Sequence, residues 1–398
     1  MRQIHSGRPR RMAFLRIAML GLPLILAAGC GGGTTPVVKT PPTPSCVPAS
    51  PPAHAYVLNG FSADTISIYN LNSCSGDLTP ATPASVATGG NEFGSEGMVV
   101  DHSGKFAYVA NLESNATDLA TISMYTINPG TGILTPTTPA TVPTGFFPQG
   151  IAIDPLSRFV YTANSDDNSV SMFTINPGTG VLTPATPPTV AAGWSPGFVT
   201  VDPSARFVYV TNQDDDTVSM YTINASTGVL TPMTPPTVPT GLSPFGLTVD
   251  PSGKFAYVPN PYDFRNIVSQ YTIDPTTGVL TPNSPSFVTA GSQPSWIAVD
   301  PSSTFAYVTN RAENTVSIFK IDPNTGNLGS SGTAPTGNGP YPVTIDPSGH
   351  FVYVANEQSG TVSIYTIDGG SLLPLMRSTA TGGPPVSISV TPAAETTK

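Results

Sequence analysis

A phrase of the form Phe-x-Tyr-Val-x-Asn, with small variations, recurs seven times along the chain. It is centred on Tyr56, Tyr108, Tyr161, Tyr209, Tyr257, Tyr307 and Tyr353, at intervals of 46 to 53 residues. A fixed period of that length marks a repeat architecture, in which one supersecondary unit cannot bury its apolar face alone and does so against its neighbours. A chain of 398 residues could hold two or three ordinary domains, but the repeats predict one closed body.

The third full unit shows what each repeat encodes. Residues 199–203 (Val-Thr-Val-Asp-Pro) alternate apolar and polar and end in a turn, and 207–210 (Phe-Val-Tyr-Val) are dense in β-branched and aromatic residues. Residues 218–223 (Val-Ser-Met-Tyr-Thr-Ile) alternate again, and Val229-Leu230 opens a fourth run. Short strands joined by tight turns predict a four-stranded meander, and no stretch carries a useful helical period. In Asp-Pro-Ser-Gly, at 250–253 and 346–349, proline presets its own φ and glycine accepts a positive φ cheaply. The fourth run is studded with proline (Pro184, Pro187 and Pro188; Pro232, Pro235 and Pro236). Proline cannot donate to a ladder, so this run is expected at the exposed edge of each sheet.

Four-stranded sheets repeated radially make a β-propeller. The first block starts at its second strand, near His54, while an orphan run at 386–390 matches the first-strand pattern. The expectation is an all-β, seven-bladed propeller of antiparallel blades, closed by pairing of the C-terminal strand with the first blade.

Outside the repeats, residues 1–29 read as an export signal: basic residues, an apolar stretch over 17–28, then small residues. The stretch is short for a membrane span. The residues before Cys30 resemble a bacterial lipobox, although Ala27 stands where that pattern prefers Leu. The resemblance implies cleavage before Cys30 and a lipid on its thiol, with plain secretion as the alternative. Residues 30–53 are rich in Pro, Gly and Thr and read as an extended tether, 54–392 as the propeller, and 393–398 as a tail. Residues 1–29 hold five arginines and no acid, so their removal takes the formal charge from −9 to −14. That acidity argues against nucleic acid as a partner. Cys46 and Cys74 have one pairing open to them in an oxidising compartment, and two single thiols are the alternative.

The cores at 207–212, 305–310 and 351–356, with Asp-Pro-Ser-Gly before them and Val-Ser-x-Tyr-Thr-Ile after, resemble the YVTN-repeat propellers. The whole unit is similar to the seven-bladed lactonase family, which includes 6-phosphogluconolactonase and carboxymuconate-lactonising enzymes. The resemblance covers about residues 54–392 and implies a lactone-handling site near the central channel. The matching residues are blade-building ones, so no catalytic residue is carried over.

The loops entering first strands and those joining second to third strands share one face, and they vary most between blades. The corresponding position near the start of each first strand reads Glu96, Gln149, Gly197, Phe245, Ser295, Tyr341 and Val386. Neighbouring loops add Trp194, Trp296, Arg265, Arg311 and Glu357. Aromatic platforms with a few polar groups suit a small polar ligand with apolar faces; the other reading is that the rings merely plug the mouth. Ligand-binding candidates are Gln149, Trp194, Phe245, Ser295 and Tyr341. Catalytic candidates are Glu96, as general base for water attack on a lactone, and Arg265 or Arg311 for the oxyanion. No histidine converges on this face, and no cofactor or metal is expected. Asp166-Asp167-Asn168 and Asp214-Asp215-Asp216 read as turn chemistry, since they lack the alternate-residue spacing of a calcium loop. The leading expectation is a membrane-anchored, exported, monomeric lipoprotein that binds a small ligand or protein. A lactonase acting outside the cytoplasm, or a purely structural spacer, are the alternatives.

Overall fold

The computed structural model describes residues 52–60, 63–89, 95–112 and 120–391. Strands are numbered β1 to β28 along these residues, and blades one to seven from Tyr56 onward. In blade four, β12 (Pro196–Val201), β13 (Phe207–Asn212), β14 (Thr217–Ile223) and β15 (Leu230–Pro239) pair antiparallel in that order. Six further four-stranded sheets repeat the arrangement, with the proline-rich strand at the outer edge in blade four as expected.

Side chains of a strand alternate between faces, and here the two faces belong to different interfaces. Phe207 and Tyr209 pack with Ala256, Val258 and Tyr271 of blade five. Val208 and Val210, on the opposite face of the same strand, pack with Tyr161 and Met172 of blade three. Seven such apolar clusters separate seven blades, where an open arc would have six. The cluster that joins blade seven to blade one contains Tyr353, Val362, Ala55 and Tyr69. The closing strand is β28 (Pro385–Val390), which pairs with β1 (Ala53–Asn59) in the register Val57↔Ile388. Ring and sheet therefore close together, as the trimmed ends of the sequence predicted.

The signature tyrosine is an inter-blade staple. Each phenol donates to a glycine carbonyl in the turn between the third and fourth strands of the next blade: Tyr209 to Gly278 at 2.7 Å, Tyr257 to Gly326 at 2.8 Å, and Tyr353 to Gly76 of blade one at 3.1 Å. Glycine is required at that turn for two reasons. Gly278 has φ +76°, and a Cβ there would lie 2.4 Å from the Phe207 ring. Burial pushes these phenols well above their ordinary range, because a phenolate in the blade interior would lack solvent. The turn aspartate is equally structural: Asp202 Oδ1 accepts the Phe207 and Arg206 N–H groups at 2.6 and 2.7 Å. The closing Asn of the phrase is structural too: Asn212 donates to Thr217 and Ser219 at 2.9 and 2.8 Å.

Blade five departs from the pattern. Its first strand, β16, is reduced to Thr248–Val249, pairing with β17 (Phe255–Asn260). Pro259 stands where blades four and six have Thr211 and Thr309, whose hydroxyls accept the Phe198 and Trp296 N–H groups, both at 3.1 Å. Blades two, three and seven carry Ala here and keep full first strands, so the missing N–H of proline is the feature that sets blade five apart; Phe245 N–H bonds Pro259 O at 3.0 Å.

Candidate functional site

On the face where first strands begin, each entering loop is clamped by its neighbours. Trp194 N–H donates to Asp215 at 2.6 Å, Ser195 N–H to Asn168 at 2.8 Å, and Ser243 N–H to Asp216 at 2.7 Å. Phe146 N–H donates in the same way to Asp167, at 2.7 Å. The acidic runs at 166–168 and 214–216 thus bind loop backbones, and no metal-ligating cluster occurs among the described residues.

These clamped loops deliver four rings to one place. Phe198 meets Phe245 at 4.5 Å between centroids and Trp296 at 4.9 Å. Tyr341 meets Phe245 at 5.4 Å and Trp296 at 5.9 Å. The rings come from the first strands, or the loops entering them, of blades four to seven, and they meet tilted or edge-on, as ring quadrupoles prefer. Phe198 is buried, whereas Phe245, Trp296 and Tyr341 are half-buried. The Arg311 guanidinium lies 5.5 Å from the Tyr341 ring centre and is ion-paired with Glu357 of the next blade. Both are largely shielded from water, which strengthens the pair relative to a surface one.

The other sequence candidates are spread out. Gln149, half-buried in blade three, accepts from Gln213 at 3.3 Å above the gap left by Gly197. Ser295 is buried, and its hydroxyl is taken up by Thr309 and by Pro340 O, so it faces the blade interior. Trp194 stands out in solvent and makes none of the ring contacts of the four-ring cluster. Arg265 is tied to Asp263 at 2.6 Å and lies 4.7 Å from the ring of Phe287 on the outer strand, which places it at the rim. That contact also holds the Asp263 carboxyl down, at about 2. Glu96 falls at the bulge between Ser95 and Gly97, and its side chain lies outside the described residues. Cys74 is disulfide-bonded, while Cys30 and Cys46 lie outside the described residues, as do the signal, the tail and the tether up to residue 51; Ala53, read as tether, already belongs to β1.

Phe198 escaped the sequence reading. Counting at one fixed offset selected Gly197, but bulges sit after Pro196, Pro294 and Pro340. A bulge re-aims the residues that follow it, so in blades four, six and seven the ring comes one or two places after the proline, at Phe198, Trp296 and Tyr341, while Phe245 follows Pro244 in a loop without a bulge. The entering prolines were the available signal.

Fold and site together define a closed propeller with a partly aromatic channel mouth. A family profile described as "Lactonase, 7-bladed beta-propeller" matches residues 30–242 and, overlapping, 198–390, and the chain belongs to that family. Among solved structures, a Bacteroides uniformis protein named as a proposed 6-phosphogluconolactonase superimposes with TM-score 0.73 at 22% identity, covering 85% of this chain and 99% of that one. A Bacteroides fragilis protein of the same naming gives 0.71 at 22%, covering 85% and 98%. The periplasmic gluconolactonase of Pseudomonas aeruginosa gives 0.69 at 18%, covering 86% and 99%. A comparison with curated proteins finds no match.

Proposed function

We propose that this chain is an exported, Cys30-anchored propeller whose channel mouth binds a small, neutral, cyclic polyhydroxy compound, a sugar or a sugar lactone. The observation that carries the reading is the four-ring cluster with the Arg311–Glu357 pair beside it. Half-buried ring faces supply the apolar surface for a sugar ring, and the ion pair supplies both donor and acceptor to its hydroxyls. The arginines of these loops, Arg265 and Arg311, are each paired with a carboxylate. That favours a neutral ligand over a phosphorylated one, whose charge would meet the paired carboxylates beside each guanidinium.

A melting-temperature titration of the mature chain with glucose and δ-gluconolactone tests this. A ligand at about 100 times its Kd stabilises by roughly 2.7 kcal/mol, and Trp296→Ala is expected to abolish the shift. No shift with any neutral sugar or lactone, or an equal shift in the variant, would sink the proposal. Release of a Cys30→Ser variant from the membrane fraction tests the anchor.

Lactone hydrolysis is the second reading, favoured by the family and by the names of its structural relatives. Water would attack the lactone carbonyl while Glu96 takes its proton and Arg311 faces the oxyanion. The ring C–O bond then breaks as Glu96 returns its proton to the departing ring oxygen, leaving a hydroxy acid. Acid release in a pH-stat, lost in Glu96→Gln while the melting shift survives, would establish it. Retained turnover in that variant would remove Glu96 from the role.

A further inference from the structure

The face that carries the mouth has a second feature, outside the four-ring cluster. On blades three, four and five, the residue after the glycine of the entering loop is Phe146, Trp194 and Leu242, and all three side chains are exposed. Trp194 is 68% exposed, a large area for a ring on a loop this firmly held. Its N–H is taken by Asp215, its carbonyl by Asp214 N–H, and the next N–H by Asn168 of the preceding blade. Packing within the blades does not account for these side chains, since all three are exposed. At the same loop position blades six and seven carry Ser292 and Asn338 instead. Among the described residues of these entering loops, exposed apolar side chains at this position thus fall on an arc of three consecutive blades, and a group of exposed large apolar side chains marks an interaction site.

Among the described residues around the arc, the charge left outside ion pairs has one sign. Asp166 and Asp214 lead the adjoining hairpin loops, are exposed, and are absent from the ion pairs of the described residues. Asp167 and Asp215 follow them and are also exposed. The cation in the next loop, Arg265, is already held by both oxygens of Asp263. A rigid tryptophan flanked by carboxylates selects a partner whose apolar contact is ringed by cations: cation–π attraction acts at the ring face, and charge complementarity acts around it. We infer that the arc over blades three to five is a docking surface for a protein partner presenting a basic, Lys- or Arg-bearing apolar segment. Trp194 is its central anchor, in the role that tryptophan commonly fills at interfaces.

The test uses the mature chain and two fluorescein-labelled probe peptides, one alternating Lys and Leu and one alternating Glu and Leu, read by anisotropy at low and high salt. Binding of the basic probe alone is expected, weakening with salt. Trp194→Ala is expected to weaken it roughly tenfold. The double variant Asp166→Asn/Asp214→Asn should weaken binding as well, whereas Asp368→Asn, which removes an exposed acid from the opposite face, should leave it unchanged. Equal binding of both peptides, or equal weakening by Asp368→Asn, would reduce the effect to net charge and overturn the inference. Three other results would also overturn it: full binding by Trp194→Ala, self-association of the chain that Trp194→Ala abolishes, or binding of cellohexaose in preference to the basic probe.

Discussion

His54 occupies a slot that six other blades fill with phenylalanine. Phe106, Phe159, Phe207, Phe255, Phe305 and Phe351 each lie against the glycine of a neighbouring turn, and His54 lies likewise against Gly132. The imidazole is buried, and neither ring nitrogen has a partner at hydrogen-bonding geometry. Loss of solvent lowers its pKa below the ordinary value, and the nearby Pro129 and Tyr69 backbones and Asn70 side chain only partly offset it. The folded chain therefore binds this proton more weakly than the unfolded chain, and acid favours unfolding. Above the unfolded value near 6.5 the penalty is absent. As pH falls below it, the penalty grows by about 1.4 kcal/mol per pH unit until the folded pKa is passed. Replacement by phenylalanine removes both the proton and the unsatisfied nitrogens. His54→Phe should be more stable by about 1–3 kcal/mol at pH 8, and its advantage should widen below pH ~6.5. Urea midpoints of both proteins from pH 8 to pH 5 give this difference directly, since the exposed His102 and His350 are common to both and cancel. A difference that stays constant across the range, or that shrinks in acid, would refute the account.

Further outcomes follow from the same contacts. Tyr353→Phe leaves the Gly76 carbonyl without its phenol donor at the ring closure. It should cost about 1–3 kcal/mol in urea unfolding, and a loss below a few tenths would mean that the staple is idle. Reducing the Cys74 disulfide should lower stability by about 2 kcal/mol, because the turn containing Cys74 also receives Tyr353 and the Arg377–Asp77 pair; an unchanged melting temperature would refute this. Tyr125 and Tyr221 are pushed up to about 12 by burial, so the stability they contribute is present below the ordinary phenol value near 10 and is lost as pH rises toward 12. Most tyrosinate absorbance should therefore appear together with the loss of β-sheet circular dichroism, and ionisation with the sheet intact would contradict the burial argument.

Much of this molecule was legible in one dimension because the repeat carries its information locally. The period, the alternation within 207–210, the proline-marked edge strands and the unmatched ends at His54 and 386–390 predicted blades, order and closure without reference to distant residues. The lactonase resemblance rested on the same phrases. Those phrases carry no chemistry of a site, because they describe what every blade shares.

The role of each shared residue, and the site itself, required three dimensions. Nothing in the phrase around Tyr209 shows that its phenol reaches a glycine 69 residues further on, since that contact exists only between adjacent blades. Phe198, Phe245, Trp296 and Tyr341 are scattered over nearly 150 positions and meet only because blades four to seven converge on one axis, with local bulges re-aiming the chain in blades four, six and seven. Periodicity, which acts along the chain, was thus determined by the sequence alone. Convergence across the ring depends on where separate strands end in space, and the tertiary structure decided it.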